Sequence, residues 1–218
     1  MARRSKAAAG GPSLESRILD EAERLFGDRG IEAVALRQIA AAAGSSNHFA
    51  VQYHFGDKDQ LVQAIFNRRI STLELRRASL LREASARGEL GDIHALLDIM
   101  FRPVAELVDA QGRRTYAAFL LGLHHFGGAT NPRVETVGFD PVTQYLSDLL
   151  YATAPHLPSE AVRRRLVTVF LMYLRELVGW ERQQARGDDA MSLDEVITEA
   201  INMGAAAFLC PQATPGAA

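Results

Sequence analysis

Side chains suited to DNA recognition lie close together in the stretch LRQIAAAAGSSNHFAVQYHF, residues 36–55. A glutamine such as Gln52 can hydrogen-bond to base edges, and an aromatic ring such as that of Phe49 can contact the methyl group of thymine. An exposed phenylalanine and tyrosine on one short helix do not favour solubility, so we expect another molecule to cover Phe49 and Tyr53.

Two short helices joined by a turn would carry these side chains. Apolar residues spaced three and four apart predict a helix over residues 36–43. Gly44 would end it, because glycine readily adopts the positive φ of a sharp turn. A brief helix is predicted over residues 48–53, after a supporting first helix from about Leu14 to just before Gly30. This order is that of a helix-turn-helix, whose second helix lies in the major groove of DNA.

The predicted third helix presents one face outward. If Val51 and Phe55, four residues apart, pack against the first two helices, helical geometry sets which residues point away. These are Phe49, Ala50, Gln52 and Tyr53, with His48 and His54 flanking them. A helix-turn-helix can also be a packing unit only, and aromatic pairs at helical spacing are more often core than contact. The residues by themselves leave both interpretations open.

The rest of the chain has the apolar periodicity of α-helices, and neither strand alternation nor an internal repeat is found. With 218 residues, of which 48% are hydrophobic, the chain can bury a sizeable core. We predict an all-α protein, with an N-terminal three-helix domain and a larger helical domain. The further helices are predicted from Asp57 to about Glu83, from Ile93 with an interruption at Pro103, and over residues 113–126, 133–151, 159–186 and 193–209.

Composition argues against several classes of protein. The single cysteine, Cys210, excludes an internal disulfide framework and a cysteine-rich zinc site. No segment approaches the roughly 18 apolar residues of a membrane span, and the basic N-terminus lacks an apolar signal region. A cytoplasmic protein without a membrane partner is therefore predicted. No nucleophile–base pair, phosphate-binding loop or HExxH motif is present, so neither an enzyme nor a cofactor is predicted.

The N-terminal part of the chain resembles the DNA-binding domain of the TetR family of transcriptional regulators. The resemblance is carried by AERLFGDRG, by RQIAAAAG in the second helix, by YHF at the end of the third, and by Lys58 followed by Leu61. It covers about a quarter of the chain. Two features depart from the family pattern: Ala35 stands where a Ser or Thr N-cap is usual, and the span from Gly44 to HF is one residue longer. The second helix is therefore expected to begin less firmly.

The resemblance implies a set of DNA contacts. Arg37 would reach a base edge or phosphate, Tyr53 and His54 would contact phosphates or fix the register, and Lys58 would add its ammonium near a helix N-terminus. The full set is Arg37, His48, Phe49, Ala50, Gln52, Tyr53, His54 and Lys58. The basic residues of the N-terminal tail could follow the minor groove or simply form a disordered solubilising tail; they are Arg3, Arg4 and Lys6.

The resemblance also implies a homodimer formed by the last two long helices. A broad apolar face on the first of these could supply the interface, although the same face could equally be core. Its residues are Leu166, Phe170, Tyr173, Leu174, Leu177 and Trp180. The implied organisation is a flexible basic tail at 1–12, a helix-turn-helix domain at 13–58, an effector-binding and dimerisation domain at 59–210 and a flexible tail at 211–218.

A pocket for a small apolar or aromatic effector is expected among the middle helices, where apolar and polar side chains mix. Its predicted residues are Met100, Tyr116, Phe119, Leu120, His124, His125 and Phe126. Adjacent His124 and His125 point about 100° apart on a helix, so they cannot bind one metal together, and no metal site is predicted. The expected function is that of a repressor that an effector, acting through the fourth helix, releases from a palindromic double-stranded DNA operator. The alternatives are an all-helical enzyme and a protein-interaction module without DNA binding.

Overall fold

The computed structural model describes residues 11–123, 141–187 and 191–211. These residues form helices and connecting turns and contain no strand, so the all-α prediction is confirmed. The helices are α1 (Leu14–Arg29), α2 (Leu36–Ala42), α3 (Ala50–Phe55), α4 (Lys58–Arg87), α5 (Ile93–Glu106), α6 (Thr115–Leu123), α7 (Pro141–Ala152), α8 (Ser159–Arg186) and α9 (Leu193–Leu209). None of these described helices has both the length and the apolar character needed to cross a lipid bilayer.

Local capping sets the ends of the first and fourth helices. The Ser13 hydroxyl accepts the Ser16 N–H (3.1 Å) at the start of α1. At the start of α4, Asp57 and Gln60 each accept the other's backbone N–H, at 2.8 and 3.1 Å. This reciprocal pair is a capping box, and it fixes the direction in which α4 leaves the small domain. The helix continues one turn past the predicted end near Glu83, because the first residue with a left-handed backbone is Gly88.

Helices α1, α2, α3 and the start of α4 bury side chains between them as part of a hydrophobic core that continues into the larger domain. This core includes Ile18, Phe26, Ile39, Val51 and Leu61, each at 0% exposure. The inward packing predicted for Val51 is confirmed, and Phe55 is half-buried against the same cluster. The predicted first turn of α2 lacks a side-chain cap, as expected for Ala35. Gln38 compensates in part, because its Oε1 accepts the Ala35 N–H at 2.8 Å.

Helix α6 packs against α1 and so connects the larger domain to the small one. A Cβ atom placed on Gly27 of α1 would lie 2.9 Å from the Ala118 Cβ and 3.1 Å from the Phe119 backbone nitrogen. The two helices therefore approach more closely than any side chain at position 27 would allow. Pro103, expected to interrupt the fifth helix, lies buried within α5, which continues to Glu106.

Candidate DNA-binding face and effector cavity

Helix α3 begins two residues later than predicted, and the preceding turn explains the difference. The Asn47 Oδ1 accepts the Phe49 N–H (3.0 Å), and the Ser45 Oγ accepts the Asn47 N–H (3.2 Å). Short polar side chains that bond to nearby backbone groups in this way compete with helix formation. The helix therefore covers Ala50–Phe55 instead of starting at His48.

The outer face of α3 consists of Phe49, Gln52 and Tyr53, which we call the α3 face. Phe49 is 70% exposed and Tyr53 is 83% exposed, and Gln52 lies between them on the same side. His48 in the turn and Arg37 on α2 are also exposed. Two large aromatic rings in water beside a free amide make a surface suited to contacting base edges and methyl groups.

Ala50 does not belong to the outer face, so the prediction that it points outward was wrong. Its side chain is 3% exposed, and Val51 beside it is fully buried. Because successive helical residues are about 100° apart, the inward side of α3 carries positions 50, 51, 54 and 55 together. Positions 49, 52 and 53 then occupy the opposite side.

His54 is held by the first helix. Its Nδ1 atom lies 3.0 Å from the Glu15 Oε1 atom, and the imidazole is 22% exposed. This contact joins α3 to the first turn of α1. A phosphate contact by His54 stays a prediction.

Lys58 braces the loop between α1 and α2. Its ammonium donates to the carbonyl oxygens of Ile31 (2.9 Å) and Glu32 (3.4 Å). A lysine ammonium has three N–H groups, so one donor is left over for a phosphate. The predicted phosphate contact and the observed brace can therefore coexist.

Replacing Lys58 by alanine tests the phosphate contact. The slope of log affinity against log salt concentration is expected to fall by about 0.9, the contribution of one neutralised phosphate. The melting temperature should also fall, because two carbonyls lose their donor. Asp59→Ala at the adjacent position is the control for local damage to α4. A lower melting temperature with an unchanged salt slope would show that Lys58 is a brace only.

Arg17 supports the turn of the helix-turn-helix and was missed from the sequence. Its Nε atom donates to the Ala43 carbonyl (3.0 Å) and its Nη1 atom to the Pro12 carbonyl (2.8 Å). The guanidinium thus bonds to the end of α2 and to the segment before α1. A basic residue in the first helix gives no sequence signal for this role, because both acceptors are backbone groups.

A buried ionic cluster joins the small domain to the larger one. Glu23 of α1 is 1% exposed and accepts two hydrogen bonds from Arg69, each 2.8 Å long. It also accepts from Thr115 of α6 (2.7 Å) and from Arg68 (3.2 Å). Burial lowers the pKa of the Arg69 guanidinium, but the hydrogen bonds and negative charge of Glu23 outweigh this effect, so the pKa of Arg69 is raised. The carboxylate therefore connects α1, α4 and α6 at one point.

A cavity of about 420 Å³ lies in the larger domain between α4, α5, α6, α7 and α8. Its wall is mainly apolar, with a few hydroxyl, amide and charged groups. The lining residues are Phe66, Ile70, Leu73, Arg77, Met100, Phe101, Val104, Tyr116, Leu120, Thr143, Gln144, Ser147, Asp148, Tyr151, Arg163, Leu166, Val167 and Phe170. This volume and lining are those of a small-molecule site.

The predicted pocket residues have three outcomes. Met100, Tyr116 and Leu120 line the cavity. Phe119 does not, because its ring is fully buried between those of Phe26 and Tyr116, at centroid distances of 6.4 and 5.8 Å. That contact places it against α1, and it is not among the side chains that line the cavity. The remaining three, His124, His125 and Phe126, lie outside the described residues.

Most of the apolar face predicted for dimerisation belongs to the protomer's own core. Tyr173, Leu174 and Leu177 are at most 1% exposed within the single chain. Leu166 and Phe170 line the cavity. The last member, Trp180, donates its indole N–H to the Met191 carbonyl (2.7 Å) and lies 5.1 Å from the Arg114 guanidinium. The interface prediction was wrong for Phe170, Tyr173, Leu174 and Leu177, which are core, and it stays a prediction for the half-buried Leu166 and Trp180.

Comparison with known proteins identifies the small domain. The family described as bacterial regulatory proteins, tetR family, matches residues 18–65. These residues form a TetR-family domain. The match begins within α1, contains all of α2 and α3 and ends within α4.

The relatives are transcriptional regulators. The probable HTH-type transcriptional regulator ArpR of Pseudomonas putida is 32% identical over 115 residues, 52% of this chain and 51% of that protein. TtgR, an HTH-type transcriptional regulator also from Pseudomonas putida, is 31% identical over the same fractions. The HTH-type transcriptional repressor Rv3405c of Mycobacterium tuberculosis is 42% identical over 64 residues, 29% of this chain and 34% of that protein. The chain thus spans about half the length of the Pseudomonas relatives it matches.

These names agree with the prediction of a regulator instead of an enzyme.

A solved structure of a protein with unknown function from Rhodococcus sp. RHA1 aligns with 92% of this chain and 97% of its own, at 23% identity and a TM-score of 0.42. Among the described residues, no group of three or more His, Cys, Asp or Glu side chains is placed to hold a metal ion.

Proposed function

We propose that the protein is a cytoplasmic, sequence-specific DNA-binding transcriptional regulator that acts as a repressor. It binds a palindromic operator as a homodimer and is released when a small apolar or aromatic molecule enters the cavity. The observation that carries the proposal is the α3 face. Phe49 and Tyr53 are the two most exposed aromatic side chains of the described residues, and both lie within the TetR-type domain.

The supports of α3 favour DNA as its partner. Arg17 holds the preceding turn, Glu15 holds His54, and the capping box starts α4 directly after it. Base readout needs side chains held in a fixed geometry, since each bidentate contact depends on direction as well as distance. A surface held in this way is suited to binding the major groove of DNA, whose geometry is regular.

Replacing Gln52 or Tyr53 by alanine is expected to weaken DNA binding in two distinct ways. Loss of a base-edge contact by Gln52 costs about 1–3 kcal/mol and relaxes specificity at one base pair, whereas loss of a phosphate contact by Tyr53 weakens all sequences alike. Both side chains are exposed, so the fold should be unaffected. Gel-shift titrations against the operator and its single-base variants measure both effects, with Gln111→Ala, at an exposed position between α5 and α6, as control. Wild-type affinity in both α3 variants would remove the α3 face from the interface.

A second copy of the chain is proposed to pack on the outward faces of α8 and α9. The exposed residues Arg175 and Arg182 lie on α8, and Glu195 and Glu199 lie on α9. In a two-fold dimer the basic face of one protomer can meet the acidic face of its partner. Two identical DNA-binding domains can then contact the two halves of a palindromic site.

Ala206→Arg is expected to disrupt this dimer. Ala206 is exposed on the outward face of α9, and a long charged side chain there would separate the two protomers. Ala86→Arg, at an exposed position near the end of α4, is the matched control. Analytical ultracentrifugation should give a monomer for the first variant and a dimer for the second. A dimer in both would place the interface elsewhere.

Selection of binding sites from random duplex DNA tests the function as a whole. The wild-type protein should enrich a two-fold symmetric site whose half-sites are centred about 34–36 Å apart or a multiple of that distance. Enrichment of no sequence, with a stable fold, would oppose the proposal. Mapping the selected site onto promoters would then give the target genes.

A further inference from the structure

We infer that the cavity takes an uncharged aromatic ligand carrying an oxygen acceptor, and that Glu74 is the residue that sets this charge preference. The inference rests on the proposed function, because it assigns the ligand through which release would act. The observation behind it is a buried charged group in a mainly apolar wall. Arg77 of α4 lines the cavity, and its side chain is 9% exposed.

The charge of Arg77 is compensated inside the wall. Glu74, one turn earlier and 12% exposed, places its Oε1 atom 2.8 Å from the Arg77 Nη1 atom. Thr143 of α7 completes a triad, since its hydroxyl accepts from Arg77 (2.9 Å) and donates to Glu74. Glu74 also accepts the Thr143 backbone N–H (3.1 Å). The buried cation and anion thus cancel within one connected network.

A charged ligand gains nothing from a wall that is neutral. Such a ligand would have to lose its hydration on entering a mainly apolar cavity, and the penalty is large unless a partner charge is free. Among the described residues, two other charged groups reach the cavity, and both are exposed at its rim. Arg163 pairs with Glu160 (2.7 Å), and Asp148 accepts from Gln144 (3.0 Å). Water and dissolved salt screen these exposed rim charges. The buried pair of Arg77 and Glu74 therefore decides which ligand charge the cavity prefers.

Arg77 retains one donor for the ligand. Of its five N–H groups, four bond to described acceptors: two to the Met100 carbonyl (3.2 and 3.1 Å), one to Glu74 and one to Thr143. The fifth, on Nη2, has no acceptor among the described residues. An amide, ketone or phenol oxygen can accept it, while the aromatic body of the ligand contacts Phe101 and Phe170, which also line the cavity.

Three naphthalene probes of similar shape and different charge test the inference. Calorimetry of the full chain should show that 2-naphthamide binds about tenfold or more tightly than 2-naphthoate, because the anion needs a free partner charge that the wall does not offer and the amide needs none. The cation 2-naphthylmethylammonium should also bind at least about tenfold more weakly than the amide, for the same reason. Failure of the amide to bind, or equal binding of all three probes, would overturn the inference.

Glu74→Gln should reverse the preference between amide and anion. The substitution preserves the shape of the side chain but leaves the Arg77 charge uncompensated, so 2-naphthoate becomes the tighter ligand. Arg77→Gln should instead shift the preference towards 2-naphthylmethylammonium. Glu83→Gln, on the exposed side of the same helix, is the matched control and should keep the wild-type order. An unchanged order in both cavity variants would overturn the role of Glu74, and the wild-type comparison remains decisive if a variant fails to fold.

Operator binding by the unliganded protein separates this inference from the proposed function. Selective DNA binding with no discrimination among the probes would mean that only the ligand class is wrong. Discrimination among the probes without selective DNA binding would mean that the regulator proposal is wrong and that the cavity assignment stands.

Discussion

Replacing Glu23 by alanine is expected to lower the free energy of unfolding by about 3–5 kcal/mol, the usual cost of removing one partner from a buried ion pair. Without the carboxylate, Arg69 and the Thr115 hydroxyl lose their acceptor at a site where Glu23 itself is 1% exposed. Urea unfolding followed by circular dichroism measures the change.

Glu21→Ala is the matched control for Glu23→Ala. Glu21 lies two residues earlier on the same helix and pairs with Arg24 at 2.6 Å, but both side chains are about a third exposed. Such a pair contributes only about 0–1 kcal/mol. If the two variants lose the same amount of stability, the buried cluster does not hold the two domains together.

Operator DNA is expected to weaken the binding of a cavity ligand by the same factor by which that ligand weakens operator binding, since coupling is reciprocal. To carry the protein from almost wholly bound to almost wholly released, the ligand must favour the released form by roughly 10⁴. The probe is 2-naphthamide or a tighter neutral aromatic found by thermal-shift screening. Calorimetry with and without the operator measures the factor, and a scrambled duplex is the control.

We expect two helices to transmit this coupling. The fourth helix, which was expected to transmit the change, lines the cavity through Phe66, Ile70 and Leu73 and starts beside α3. The sixth lines it through Tyr116 and Leu120 and packs against α1 at Gly27. A ligand that moves either helix would alter the distance between the two DNA-binding domains of the dimer. Equal ligand affinity with and without the operator would rule out release by this route.

The small domain could be predicted from the sequence because its signals are local. Ser13, Gly44 and the Gly56–Asp57 pair mark helix ends by their own backbone and side-chain chemistry. The start of α3 was misplaced because Asn47 bonds to the Phe49 backbone and competes with the helix. Ala50 faces inward because positions 50, 51, 54 and 55 share the inner side of α3.

The features missed from the sequence depend on contacts between distant segments. Glu23 meets Arg69 and Thr115 across 46 and 92 residues, so no spacing rule links them. Periodicity finds an apolar stripe on α8 but cannot say whether core or a second protomer covers it, and Tyr173 and Leu177 proved to be core. The cavity likewise needs α7, which brings Thr143 to Arg77 across 66 residues.

The most direct test of the central claim, that the α3 face reads DNA sequence, is the affinity ratio between the selected operator and a scrambled duplex of the same composition. Fluorescence anisotropy at physiological salt should give a ratio of at least about 10³, the lower range for specific recognition. The ratio, not the affinity itself, carries the information, because phosphate contacts bind any duplex. A stable dimer that binds both duplexes equally would contradict the account.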